Sequence, residues 1–280
     1  MQKKNLFFPI LAVLLIVAVI GGVVSCANSN TDFEETFSSF VESIIDTNLG
    51  SSDSSSGIIE SESSDIENDV VDFSKLTYVA LGDSITYGFD STRGGLQMEN
   101  PYPDLVREEL NLRAVYNYGI SGSTLTNIDS TRYPMTDRSI NMTNNGDIVS
   151  VMGGINDYMI GKAPLGTIDD SDASTIYGAL NVLASGLKEK YPNSYIFFMT
   201  PYKWRGDTGT NAQGYSLEDL CTAIKEVCAK YDIDVLDMYE SGLFELEMNN
   251  SGSDGCHPSQ SFFEEYTAPM IADFIRSNYK

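Results

Sequence analysis

The sequence has one histidine, four cysteines and no Cys-x-x-Cys pair in 280 residues. That scarcity excludes a structural zinc site, which needs four thiolate or imidazole donors, and it obliges any imidazole chemistry to run through His257. Basic residues are also few: 17 Lys and Arg stand against 40 Asp and Glu, a formal charge of −23. Repulsion before contact therefore excludes nucleic acid or a bare anionic bilayer as a partner.

What the sequence does contain falls into three stretches. Residues 1–26 read as an export signal: Lys3 and Lys4 precede an apolar run from Leu6 to Ile20, followed by Gly21, Gly22 and Val23-Val24-Ser25-Cys26. Val-Val-Ser-Cys resembles the lipobox of bacterial lipoproteins, which implies cleavage before Cys26 and lipidation of its thiol. The apolar run is also long enough for an uncleaved anchor, and both readings put the rest of the chain outside the membrane. Residues 27–72 are rich in Ser, Asp, Glu and Asn, with twelve acidic residues and no Lys or Arg. Such a stretch cannot bury enough apolar surface to offset chain entropy and reads as a tether. Within it, Phe33, Phe37, Phe40, Val41, Ile44 and Ile45 recur at helical spacing, a short helix at most.

From 73 to 280, short β-rich runs alternate with longer helical ones, which predicts one α/β domain with a mostly parallel sheet. Strands are expected at 76–81, 113–117, 147–152, 195–200 and 234–237. Helices are expected over 100–110 and along apolar stripes at 176–187, 217–231 and 262–274. Cys221 and Cys228, seven residues apart on one stripe, would lie about 10 Å from each other, too far to bridge, and read as small core residues. Cys256 pairs with one of them only if the fold brings it near.

Four segments carry chemistry. The first strand runs into Gly82-Asp83-Ser84, and in a doubly wound sheet a Ser at that position points into the crevice beyond the strand ends. Taken alone, the tripeptide equally fits a strand-to-helix turn with Ser84 as N-cap. Asp254-Gly255-Cys256-His257-Pro258 holds the only imidazole, with a carboxylate near enough in sequence to orient it; Pro258 is expected at the first position of the last helix. A serine nucleophile requires such a base. The strand-end segments 117–124 and 153–157 supply backbone N–H groups at Ser84 and Gly122 and the side-chain amide of Asn156, three donors for an oxyanion. Tyr87, Tyr158, Tyr202 and Trp204 stand on or beside the same loops, where aromatic faces suit sugar rings.

In these blocks the domain resembles the SGNH hydrolases, also called the GDSL esterase and lipase family: Gly82-Asp83-Ser84 for the nucleophile, Gly122 for the glycine, Gly154-x-Asn156-Asp157 for the asparagine and Asp254-x-x-His257 for the base. Gly119 is the less suitable holder of the glycine role. The resemblance implies a three-layer α/β/α sandwich with a flavodoxin-like five-stranded parallel sheet. It also implies a serine esterase needing neither metal nor organic cofactor. Ile85 stands where the family name has Leu, a form that looks like members acting on acylated carbohydrates. The expected function is hydrolysis of acyl esters, O-acetyl above all, on a small ester or acylated glycan, by a protein lipid-anchored at the extracellular face. Lysophospholipid or thioester hydrolysis on the same fold is the alternative, as is a non-catalytic glycan-binding lipoprotein.

Overall fold

A computed structural model describes residues 71–207, 209–248 and 254–280. The readings on the first 70 residues, namely the export signal, Cys26, nearly all of the tether and the short helix at 33–45, lie outside them.

Three continuous apolar runs become the inner strands because parallel strands covered on both faces are buried along their whole length. β1 (Thr77–Gly82) and β5 (Ile148–Met152) are buried at every position, and β6 (Tyr195–Met199) at all but its first. β4 (Ala114–Gly119) and β7 (Asp234–Leu236) are half-exposed, as sheet edges. The order is β4-β1-β5-β6-β7, all parallel. The winding thus reverses between β1 and its two neighbours, which opens a crevice at their carboxyl ends. A separate two-stranded ribbon pairs β2 (Phe89–Asp90) with β3 (Leu96–Gln97) antiparallel.

Side chains alternate between the faces with the period of a strand. Val79, Leu81, Val149, Val151 and Phe198 face one core, closed by α5 (Ile176–Lys190) and α6 (Leu217–Lys230). Tyr78, Ala80, Ile148, Met152 and Phe197 face the other, closed by α2 (Tyr102–Glu109) and α8 (Ala268–Asn278). Each fully buried Leu, Ile, Val or Phe in these layers contributes about 1.5–3 kcal/mol. The expected three-layer α/β fold is the one observed.

Helix starts follow cap chemistry. Ser216 and Asp219 form a reciprocal capping box on α6, and the Thr175 hydroxyl accepts from Gly178 N–H on α5. The last helical segment is less regular than its stripe suggests: α7 (Gln260–Phe262) passes through a π turn (Phe263–Thr267) into α8. Pro269, in the first turn of α8, has no N–H to continue an ordinary ladder. Pro258 does not open this helix, because Ser259 caps it by accepting from Phe262 N–H. Shorter helices, α1 (Ser84–Tyr87), α3 (Met135–Arg138) and α4 (Ile155–Ile160), sit at the ends of β1, the β4–β5 connection and β5.

Candidate active site

Ser84 opens α1 where β1 ends. Asp83 is the N-cap, its carboxylate accepting from Ile85 N–H at 3.0 Å, so Ser84 is not the cap that its sequence context also allowed. Two features force the chain into this tight turn. Gly119, at the end of β4, passes so close to α1 that a Cβ there would sit 2.1 Å from Tyr87 N. Asn117 then ties the two elements, donating to Thr86 O at 2.8 Å and accepting from Gly119 N–H at 2.8 Å. Gly119 is thus a packing glycine.

Asp254 and His257 form a turn closed on itself. Asp254 Oδ1 accepts from the backbone N–H groups of Cys256 and His257, at 3.0 and 2.9 Å, and Gly255 takes the left-handed φ of 77° that the bend requires. Oδ2 lies 2.7 Å from His257 Nδ1, and His257 Nε2 lies 2.7 Å from Ser84 Oγ. The Asp254 contact fixes the proton on Nδ1 and leaves the Nε2 lone pair facing the hydroxyl. Partial burial works to raise the Asp254 pKa, but hydrogen bonds from the His257 ring and from the two backbone N–H groups outweigh it and hold the carboxyl below its ordinary value.

The oxyanion donors expected from sequence line the same cleft. Gly122 has φ 79°, and neither its N–H nor that of Ser84 has an acceptor among the described residues. Asn156 Nδ2 donates one hydrogen to Ser123 O at 2.9 Å, leaving its second free for a ligand. Asp157 is a structural carboxylate: it accepts from Leu125 N–H at 2.7 Å, from Thr126 N–H at 3.0 Å and from the Thr126 hydroxyl at 2.7 Å. These bonds pin the glycine-bearing loop to α4. Burial raises Asp157 to a pKa of about 6 and Asp83 to about 7.

The cleft encloses about 280 Å³, and Phe89, Ile155, Met159 and Trp204 form its apolar walls. Of the four aromatic residues expected there, only Trp204 lines it. Tyr202 is buried, hydrogen-bonded to the Thr267 hydroxyl, and Tyr158 is buried and donates to Asp207 and to Gly209 O. Their phenols anchor core and loops, since a buried hydroxyl must find a partner. Tyr87 is half-buried and outside the lining. Phe89, which the sequence did not single out, packs against His257 with ring centroids 4.4 Å apart and the rings tilted by 37°. Cys256 lines the cleft, and it, Cys221 and Cys228 are all free, buried thiols.

Arg138 is a second group that sequence reasoning passed over. It and Arg132 are the only basic residues between Arg113 and Lys162, and this sparsity is the one signal the sequence offers. Arg138 reaches back to the strand ends beneath the site.

A serine, an imidazole and a carboxylate in relay, flanked by unengaged donors at the carboxyl ends of a doubly wound sheet, are the groups that hydrolysis through an acyl-serine would require. Residues 80–262 match the model of the GDSL-like lipase/acylhydrolase family, and the chain belongs to that family of ester hydrolases. A solved protein from Lactobacillus plantarum is 28% identical, covering 75% of this chain and all of its own, with a TM-score of 0.63. The lipase/acylhydrolase from Enterococcus faecalis shares the fold at 21% identity over 73% of this chain and 97% of its own, TM-score 0.53. A carbohydrate acetylesterase family member from Sinorhizobium meliloti does so at 16% identity over 72% and 98%, TM-score 0.52. No curated protein matches the chain.

Proposed function

We propose that the protein is an extracellular serine esterase, lipid-anchored through Cys26, that removes short acyl groups, acetyl above all, from carbohydrate. The observation carrying this reading is the unbroken contact from Asp254 through His257 to Ser84 Oγ, 2.7 Å at each step. As Ser84 Oγ bonds to the ester carbonyl carbon, His257 Nε2 takes its proton and Asp254 steadies the imidazolium. Charge gathering on the carbonyl oxygen meets the N–H groups of Ser84 and Gly122 and the free hydrogen of the Asn156 amide. The intermediate then expels the alcohol, which leaves with the proton from His257. Water attacks the acyl-serine with His257 again as base, releasing the acid and restoring Ser84.

Substrate class is supported by size and surface. A cleft of about 280 Å³ suits an acetyl group and part of a sugar ring, and is small for a long acyl chain. Trp204 offers a flat apolar face beside the reacting centre. The acidic segment 27–72, read from its composition as a tether, would keep the domain within reach of a polymer near the membrane. The test is a panel of acetyl, butyryl and longer acyl esters together with acetylated oligosaccharides, read with a fluorophosphonate probe. Acetyl esters should turn over fastest, and Ser84→Ala and His257→Ala should each lose at least a thousandfold in kcat while staying folded. Near-normal turnover by either variant defeats the reading, and preference for lysophospholipid or thioester transfers it to those substrates. Cys26→Ser should abolish incorporation of a fatty-acid label into the protein.

A further inference from the structure

The last carbonyls of β1 and β4 keep a second lone pair beyond their ladder bonds, and each takes a further donor from one side chain. Gly82 O, immediately before Asp83-Ser84, accepts from Ile120 N–H at 3.1 Å and from Arg138 Nη2 at 2.6 Å. Tyr118 O, at the end of β4, accepts from Arg138 Nη1 at 2.5 Å. The same Nη2 donates to Ser123 Oγ at 2.9 Å, and Nε donates to Tyr133 O at 3.1 Å. One planar guanidinium therefore joins the nucleophile strand, its neighbour and the glycine loop, a fork that an ammonium cannot reproduce.

Ser123 is the node through which this reaches the reacting centre. It follows Gly122 directly, its hydroxyl donates to Tyr133 O at 2.7 Å, and its carbonyl accepts the Asn156 amide hydrogen at 2.9 Å. Two of the three oxyanion donors thus take their position from a residue that Arg138 holds. Arg138 makes no ion pair within 4.0 Å among the described residues, the buried Asp83 included, so the fixed geometry comes from carbonyls and hydroxyl.

We propose that Arg138 is a positioning residue for ester hydrolysis, clamping the Gly122–Ser123 turn to the end of β1 at the spacing the oxyanion requires. The proposal rests on the esterase reading above. It touches neither substrate nor proton transfer, so its loss should change kcat and leave KM and the pH dependence of the base in place. A misplacement of about 1 Å in such a site costs up to roughly a hundredfold.

The test uses the full chain with an acetyl ester. Arg138→Met is expected to lower kcat about ten- to a hundredfold with KM within threefold and an unshifted pH–rate profile; Arg138→Lys should fall between it and wild type. In an Asn156→Ala background, Arg138→Met should cost at least threefold less than it does alone, because one of the donors it positions is gone. A general loss of folding would cost the same in both backgrounds. If Arg138→Met does not fold, Ser123→Ala carries the test by removing only the hydroxyl link, and a three- to tenfold loss of kcat at constant KM is expected. Wild-type turnover with an Arg138→Met kcat within twofold of it, equal costs in the two backgrounds, or an unaffected Ser123→Ala each overturns the positioning role. Absence of wild-type turnover on any ester would instead strike at the esterase reading itself.

Discussion

The two halves of the site are built in opposite ways. The half that holds the proposed nucleophile and oxyanion donors rests on β1, β4 and β5, with Ser84, Asp83, Ser123 and Asp157 all buried and the pieces held across dozens of residues of sequence. The half that holds the proposed base is a single turn of four residues in which Asp254 is 43% exposed and makes its bonds with its own neighbours. A proton relay can be assembled locally because an imidazole and a carboxylate three residues apart already reach each other. An oxyanion hole cannot, since its donors must converge on a point in space from three strand ends. Precision in this molecule is therefore bought by the sheet for one half and by a turn for the other.

That contrast can be broken first at the turn. Asp254→Asn keeps the shape but removes the charge and upsets the His257 tautomer, and kcat should fall by roughly a thousand- to ten-thousandfold with little change in thermal midpoint. A large drop in midpoint would mean that the turn is not self-contained. In the sheet-built half, Asn156→Ala should cost about a hundred- to a thousandfold in kcat, the usual loss for one oxyanion donor. Equal hydrolysis by this variant would remove Asn156 from the site.

The smallest effect should be on stability. Burial raises Asp83 to about 7 and Asp157 to about 6, so the folded chain holds protons that the unfolded chain has released between their ordinary value and these. Stability from both groups is complete below about pH 4 and is lost as pH rises towards 7. Asp254, with its lowered pKa, works in the other direction and only below its ordinary value. The thermal midpoint should decline by on the order of 10 °C from pH 4 to pH 7.5. Asp83→Asn, which keeps an acceptor for Ile85 N–H, should flatten part of that decline. An identical slope in the variant would show that general charge repulsion, rather than this carboxyl, sets it.

How much was readable in advance followed the same division. The sheet strands lie within two residues of the runs that forecast them, and the three inner ones lie within one, because strands buried on both faces leave an uninterrupted signature. The four chemical blocks were legible because each is local in sequence. The β2–β3 ribbon was not: its strands are two residues long, too short for any periodicity, and the contact it makes between Phe89 and His257 spans most of the domain. Arg138 escaped for a related reason, since nothing local distinguishes a guanidinium that satisfies strand-end carbonyls from one in solvent. Tyr158 and Tyr202 failed in the opposite sense: a loop position says nothing of which way a phenol points.

Trp204 enters the cleft from the segment after β6, a strand that supplies none of the proposed reacting groups. On the proposed reading, recognition and reactivity are carried on different branches of the sheet. Lengthening, shortening or recomposing residues 200–216 would let descendants of this chain change what the cleft admits while inheriting the proposed bond-breaking groups untouched.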